Sequence, residues 1–475
     1  MSARVEPGTF NCLWFLDDAT PVRGEVTLEP GRPPTASAVW SVTKPEEVHF
    51  DDGHIELHSS YPQEEVREEV RGRLDTGQEI VLITARLHTW YADRTSIEAA
   101  AAIIGTDLPE ESNFLFESAE IQITALDAIG GVAPLMAGSA ASSASHPREW
   151  TVKQNGAASQ SWSSDRATLN LYYSSRASAF DPYQFSVEHT PVLNIKLEAP
   201  ISLRTWIDDW CTPLQRVIGA ATGRYERITH IALRQNNDSW WAVVFGSGIT
   251  QSPYVSQRSE VGKLNPAFTT YGDNISLLEL IQGWRQQQRD GNPLIDAYNP
   301  AVLTPEQHPR SRLLLLLQVL EAVYGFENKE ALVESAERHS EKRIALIDKL
   351  KELSTQEILE DSEFQFLKKN ISKYPAQGLD QALRAHFRSL PTRDIITELS
   401  GLGVIREASA DQSDKSPENA LRIIRNNLSH GQVIYPVEDM NRLARLLDRV
   451  TRAVFLRILG CQPDVIKRVA EKRRA

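Results

Sequence analysis

Near its C-terminal end the chain reads "IIRNNLSHG", Ile423 to Gly431, in which Asn426, Asn427, Leu428 and Ser429 separate Arg425 from His430. These residue types suit cleavage of a phosphodiester by a neighbouring hydroxyl. An imidazole, with an unperturbed pKa near ~6.5, takes and gives protons around neutral pH. A guanidinium stays charged, and its fork of donors matches phosphate oxygens. Asn426 lies one helical turn before His430 and could orient the imidazole or hold a substrate. Ser429 is a weaker candidate of the same kind, and Arg422 adds a second cation one turn before Arg425.

The same stretch specifies the helix that must carry these groups. Ser416-Pro417-Glu418 supplies an N-cap hydroxyl, a proline at the first helical position and an acid in the first turn. Gly431 is a natural residue for the end. Leu421, Ile424 and Leu428 form one apolar stripe, which leaves Arg422, Arg425, Asn426, Ser429 and His430 on the opposite side. At about 100° per residue, Arg425 and His430 stand about 140° apart around the axis. One helix therefore splays the pair, whereas two such helices related by a twofold would pool two arginines and two histidines in one cleft. That is a reason to expect a dimer.

Spacing alone is weak evidence. "RYERITH", Arg224 to His230, offers a similar pair at one residue longer, but it follows a glycine turn and enters a strand. The plainer alternative for the C-terminal pair is an Arg425 ion pair to a neighbouring helix, with His430 interacting with the helix dipole.

The elements around the motif fall into two halves. The first 200 residues alternate like strands, in "GEVTLEP", "EIVLITARLHTW", "AEIQITAL", "ATLNLYY" and "VLNIKLE". Ser202 caps a helical segment ending in "AATG"; strands "RITHIAL" and "WWAVVFG" follow, then an amphipathic helix after Asn274. "GSAASSASHP", Gly138 to Pro147, reads as a flexible loop, and all ten tryptophans lie before residue 300 as packing residues. Prolines between Asn299 and Ser311 mark a boundary, and beyond it the period is helical almost throughout. The expected fold is α+β and multidomain: a β-rich, sandwich-like domain with a few helices over residues 1–300, then an all-α bundle over 301–475.

"RNNLSHG" at a helix end, in the penultimate helix of an all-α domain, resembles the Arg-x4–6-His motif of HEPN ribonucleases. Asn426 fits the polar residue that usually follows the arginine. "RLLLLLQVLEAVYG" (Arg312 to Gly325) resembles the opening helix of the ApeA-type branch, and "FLRILG" (Phe455 to Gly460) its final one. "ESAEIQITALDAIGG" and "LNIKLEAPISLRTWIDDWCTPLQRVIGAATG" resemble the N-terminal domain of that branch. Where that domain often has a tryptophan, this chain has Ala128-Ile129. The resemblance implies a metal-independent endoribonuclease without cofactors, which forms homodimers or higher homo-oligomers. Its RNA substrate includes tRNA among the candidates. It further implies abortive-infection defence against phage, with a phage-derived trigger. Arg425, His430 and Asn426 would be catalytic, Arg422 and Ser429 would bind RNA, and Glu321 in the opening helix would orient them. The alternatives are a non-catalytic helical adaptor that binds a partner protein, and a β-domain ligand-binding protein with a purely structural helical half.

Charge is consistent with an RNA partner only locally. The net charge of -12 conceals a basic end: residues 421–475 hold 12 Lys+Arg against 5 Asp+Glu, an excess able to neutralise phosphates. The bland reading is a solvated helix face. Cys12, Cys211 and Cys461 form neither a disulfide framework nor a metal-ligand pattern. "HFDDGHIELH" places His54, Glu56 and His58 on one face of a strand, with His49, Asp51 and Asp52 nearby. It reads as an exposed hairpin rather than a metal site. No membrane-length apolar run and no secretory signal is visible, so a cytoplasmic location without a membrane partner is expected.

Overall fold

The computed structural model describes residues 5–471 except 17–19, 42–45, 50–54, 59–62, 92–93, 107, 109–113, 137–139, 142–148, 151–152, 179–185, 237–238, 253, 300–306, 357, 374–377 and 432. It divides into two compact units, Met1–Ile281 and Gln282–Ala475.

The first unit is built on one antiparallel sheet. Its strands are β1 (Gly8–Phe15), β2 (Val22–Leu28), β3 (Thr35–Ala38), β6 (Gln63–Leu74), β7 (Glu79–Tyr91), β8 (Arg94–Gly105) and β9 (Leu115–Ile123). They are joined by β14 (Gln160–Ser163), β15 (Ala167–Ser178), β16 (Ser186–Ser202), β17 (Ile228–Arg234) and β18 (Ala242–Gly246). The strands β4 (Glu46–His49) and β5 (Ile55–His58) form a separate hairpin. Two-residue ladders link β10 (Leu135–Met136) to β13 (Lys153–Gln154), and β11 (Ala140–Ala141) to β12 (Glu149–Trp150).

Strand β8 is the branch point. One edge pairs along its length with β7, while the other meets β3 over Thr95–Glu98 and β18 over Ala101–Ile104. The order β8-β3-β2-β1-β6-β7 closes back onto β8 as a barrel, and the sheet continues outward as β18-β17-β9-β16-β15-β14. Within the expected β-rich class, the strands thus close on themselves rather than forming two stacked sheets. Both arrangements need the same inward alternation, so periodicity does not tell them apart.

Trp14 fills the barrel, fully buried, and its Nε1 donates to the Ser37 carbonyl at 3.0 Å. Room for the ring comes from Gly24 and Gly72 on the flanking strands. A Cβ at Gly72 would lie 2.6 Å from Cys12 Sγ, and one at Gly24 would sit 2.7 Å from Trp14 Nε1 and collide with the Ser37 carbonyl oxygen. Backbone cannot swing aside as a side chain can. Gly24→Ala should therefore lower the stability of the barrel unit by about 1–3 kcal/mol, the usual cost of overpacking. A denaturant midpoint indistinguishable from wild type would contradict this packing.

The helices of this unit are short: α1 (Leu126–Gly130), α2 (Leu203–Trp206), α3 (Thr212–Thr222) and α4 (Arg258–Val261). Ser202 caps α2 as expected, and α2 runs into α3 through a π-helical turn over Ile207–Cys211. The helix α5 (Leu277–Arg289) leads into the second unit.

That unit is helical throughout its described elements: α6 (Pro293–Ala297), α7 (Pro309–Glu327), α8 (Lys329–Thr355), α9 (Asp361–Asn370) and α10 (Leu379–Ser389) come first. After them come α11 (Asp394–Ser400), α12 (Gly403–Ala408), α13 (Pro417–His430), α14 (Val437–Ile458) and α15 (Pro463–Ala470). Helix α14 is the central one, packing against α7, α10, α11 and α15. It buries Leu443, Leu447, Val450, Val454, Phe455 and others around much of its circumference, as a core helix must. The "LLLLL" run delivers Leu313, Leu316 and Leu317 to the same core. Among the described residues no helix is long and apolar enough to cross a membrane. Most of "GSAASSASHP" lies outside the described residues, as do Asp51, Asp52 and His54, so only the backbone pairing of β4 with β5 bears on that histidine group.

Candidate active site

Helix α13 has the ends that its sequence dictates. Ser416 Oγ accepts the Asn419 amide at 3.3 Å, Pro417 opens the first turn, and Gly431 closes the last with φ +67°. That left-handed conformation favours glycine, because a side chain there would be strained. Leu421, Ile424 and Leu428 are buried, and the helix packs on α7, α10, α11 and α12.

The polar side carries the candidate groups. Arg425 Nη2 reaches Glu321 Oε2 on α7 at 3.5 Å, and its Nη1 donates to Asn426 Oδ1 at 3.3 Å. Arg422 Nη2 donates to Asn419 Oδ1 at 2.7 Å. Ser429 and His430 are exposed, and neither side chain hydrogen-bonds to another described residue. The side chains of Arg425 and Glu321 are each more than a third exposed, at 35% and 38%, so their ion pair contributes at most about 1 kcal/mol. A pair that weak and that wet leaves the guanidinium available to a phosphate.

The structure thus brings Arg425, Asn426 and Glu321 together and leaves His430 apart at the helix end. Asn426 turns its side-chain oxygen to Arg425, not to His430. One further group joins them: Arg310, in the first turn of α7, donates from Nη2 to the Leu428 carbonyl. It is a second donor to a carbonyl that also accepts the Gly431 amide at 3.3 Å, and it brings another cation to the α13 C-terminus. No local pattern could have marked it, since it lies 118 residues from its partner.

The basic excess of the last helices is divided. Arg449 donates to both carboxylate oxygens of Glu398, at 3.0 and 3.1 Å, and also to the Val469 and Ala470 carbonyls. Arg452 is buried, and Arg457 pairs with Glu327 at 2.6 Å. Arg442 and Arg445 are exposed. Only part of the charge counted in the sequence faces solvent, because several of these arginines tie helices together. The "RYERITH" pair is engaged within its own unit: the exposed Arg224 meets the buried Glu226 at 3.1 Å, and the buried His230 has its Nδ1 2.9 Å from Gln251 Oε1.

Residues 13–284 match the family described as ApeA N-terminal domain 1. No curated protein and no solved structure matches the chain. The matched stretch contains the barrel, apart from the first residues of β1, together with its extended sheet, and it ends before α13.

Proposed function

The chain belongs to the ApeA N-terminal domain 1 family, and from that premise we propose that it is an ApeA-type phage-defence protein whose helical unit is a HEPN endoribonuclease. The observation that carries the reading is the solvent-facing side of α13, where a weakly paired Arg425 and an unengaged His430 share one capped helix.

In this reading the ribose 2′-oxygen attacks the adjacent phosphorus as its proton passes to a base. The O2′–P bond forms, the P–O5′ bond breaks, and the departing O5′ takes a proton. The products are a 2′,3′-cyclic phosphate and a 5′-hydroxyl. His430 moves protons, and Arg425 holds the charge that builds on the phosphoryl oxygens. Asn426 and Glu321 aim the guanidinium, while Arg422 and Ser429 contact the flanking RNA, tRNA being one candidate substrate. The steps as written need no metal and no cofactor.

A shared site between two copies answers the splay of Arg425 and His430. Helix α8 supports an assembly of some kind: it runs 27 residues without burying one. Val333, Ile344, Leu346 and Leu353 are left exposed along it. The same helix favours the second reading, an adaptor that docks a partner protein without cutting RNA. The barrel unit would then sense a phage-derived trigger or restrain the helical unit.

Purified protein incubated with total RNA or tRNA in EDTA separates the two. Cleavage with cyclic-phosphate ends that depends on His430 is expected. RNA that stays intact under all activating conditions, with a stoichiometric protein partner, would establish the adaptor instead.

A further inference from the structure

The barrel unit contains a cavity of about 760 Å³ that the nuclease reading does not use. It is lined from α1 and the segment that follows it into β10, and from β15, β16 and α4, by Asp127, Tyr173 and His189 together with the apolar Val132, Leu135 and Val261. Its volume falls within the range of small-molecule sites, roughly 300–1,000 Å³.

Two polar groups in its wall are buried and incompletely bonded. Asp127 and His189 are 5% and 8% exposed. Asp127 Oδ1 accepts the Ala128 amide at 2.8 Å and the Tyr254 hydroxyl at 3.5 Å. Its Oδ2 makes no hydrogen bond of good geometry among the described residues; burial raises the Asp127 pKa, and the nearby Ser256 hydroxyl pulls it the other way. His189 Nδ1 meets Ser175 Oγ at 2.9 Å, whereas its Nε2 has no partner among the described residues. Folded proteins leave few such atoms, because each costs desolvation without return. With the Ser256 Oγ there are three of them among the residues that line this cavity, and together they mark a place where a ligand completes the bonding. Burial lowers the His189 pKa, which favours a neutral ring whose Nε2 offers a single donor or acceptor. Arg258 also lines the cavity and is exposed, so it stands at the rim.

A ligand that satisfies this wall needs an N–H for the Asp127 oxygen. It also needs a complementary group for the imidazole, on a body that the apolar wall can cover. We propose that the cavity binds a nucleobase, carried as a nucleoside or nucleotide, through Asp127 Oδ2 and His189 Nε2. The ring lies against Val132, Leu135 and Val261, and any phosphate extends toward Arg258.

The test is thermal melting of the full chain with millimolar guanosine, adenosine, cytidine or uridine, and then with the corresponding 5′-triphosphates. At least one nucleoside should raise Tm by a few degrees through mass action. The rise should vanish in Asp127→Ala and in Val261→Trp, which fills the cavity and leaves the polar pair intact. Should Asp127→Ala fail to fold, Val261→Trp still decides. A triphosphate that shifts Tm more than its nucleoside, with the surplus lost in Arg258→Ala, identifies the nucleotide as the ligand. Equal shifts identify the base alone. The idea is overturned if no nucleoside shifts the wild type, or if the shift survives in Val261→Trp. His430→Ala should bind as wild type does, so this proposal and the nuclease reading can fail separately.

Discussion

Arg425→Ala and His430→Ala should each reduce RNA cleavage at least about a hundredfold, the usual scale for losing a proton-transfer group or a donor to transition-state charge. Neither should shift thermal melting appreciably. His430 is exposed at a helix end, and removing Arg425 strands Glu321, whose side chain is 38% exposed, and the oxygen of the half-buried Asn426, both of which water can reach in place. The combination matters more than either result, because activity lost together with stability would point to packing instead. Mixing the two variants adds a test of assembly. If the productive arginine and histidine come from opposite copies, a heterodimer regains one complete site and part of the activity. A strictly monomeric protein that still cuts RNA would exclude a shared site. Cleavage near wild-type rates in either variant would remove α13 as the active helix.

Asp448→Ala should cost the helical unit about 3–5 kcal/mol, the scale of breaking a buried ion pair by deleting one partner. Asp448 on α14 accepts the Tyr298 hydroxyl at 2.9 Å and lies 3.8 Å from Arg312 Nη2 on α7. Burial raises its pKa, while Arg452 and Arg312 pull the other way. Arg312 and Arg452 are both buried, so losing the carboxylate leaves two guanidinium groups with less compensation and almost no water. Asp448→Asn keeps the side-chain volume and an acceptor for Tyr298. A loss as large as that of the alanine variant would assign the effect to charge, and a much smaller one to the hydrogen bond. The measurement is the denaturant midpoint of the helical circular dichroism. A change below about 1 kcal/mol in Asp448→Ala, the level of a surface pair, would refute a buried charge network here. Cleavage should fall with it, because this network joins α14 to α7, and α7 presents Glu321 and Arg310 to α13. Unlike the active-site variants, this one loses activity and melting temperature together.

The sequence by itself determined the two-part architecture and the bounds of α13. The strand alternation, the helical period and the Ser416, Pro417 and Gly431 end signals each act through neighbours a few residues away. The same local geometry placed Arg422, Arg425, Asn426, Ser429 and His430 on the solvent side of Leu421, Ile424 and Leu428 before any packing was known. Only the tertiary structure decided what those residues meet. Glu321 reaches Arg425 across 104 positions, and Arg310 reaches the Leu428 carbonyl across 118. Closure of β6 onto β1 around Trp14, and the arrival of Asp127 and His189 at one cavity, are events of the same kind. Capping and periodicity have few local solutions. Contacts between distant elements depend on which of many compatible faces pack together, and alternating strands are equally suited to a sandwich and to a barrel. For the same reason the arginine count of the last helices could not separate exposed Arg442 and Arg445 from Arg449 and Arg452, which the fold draws inward to hold its helices together.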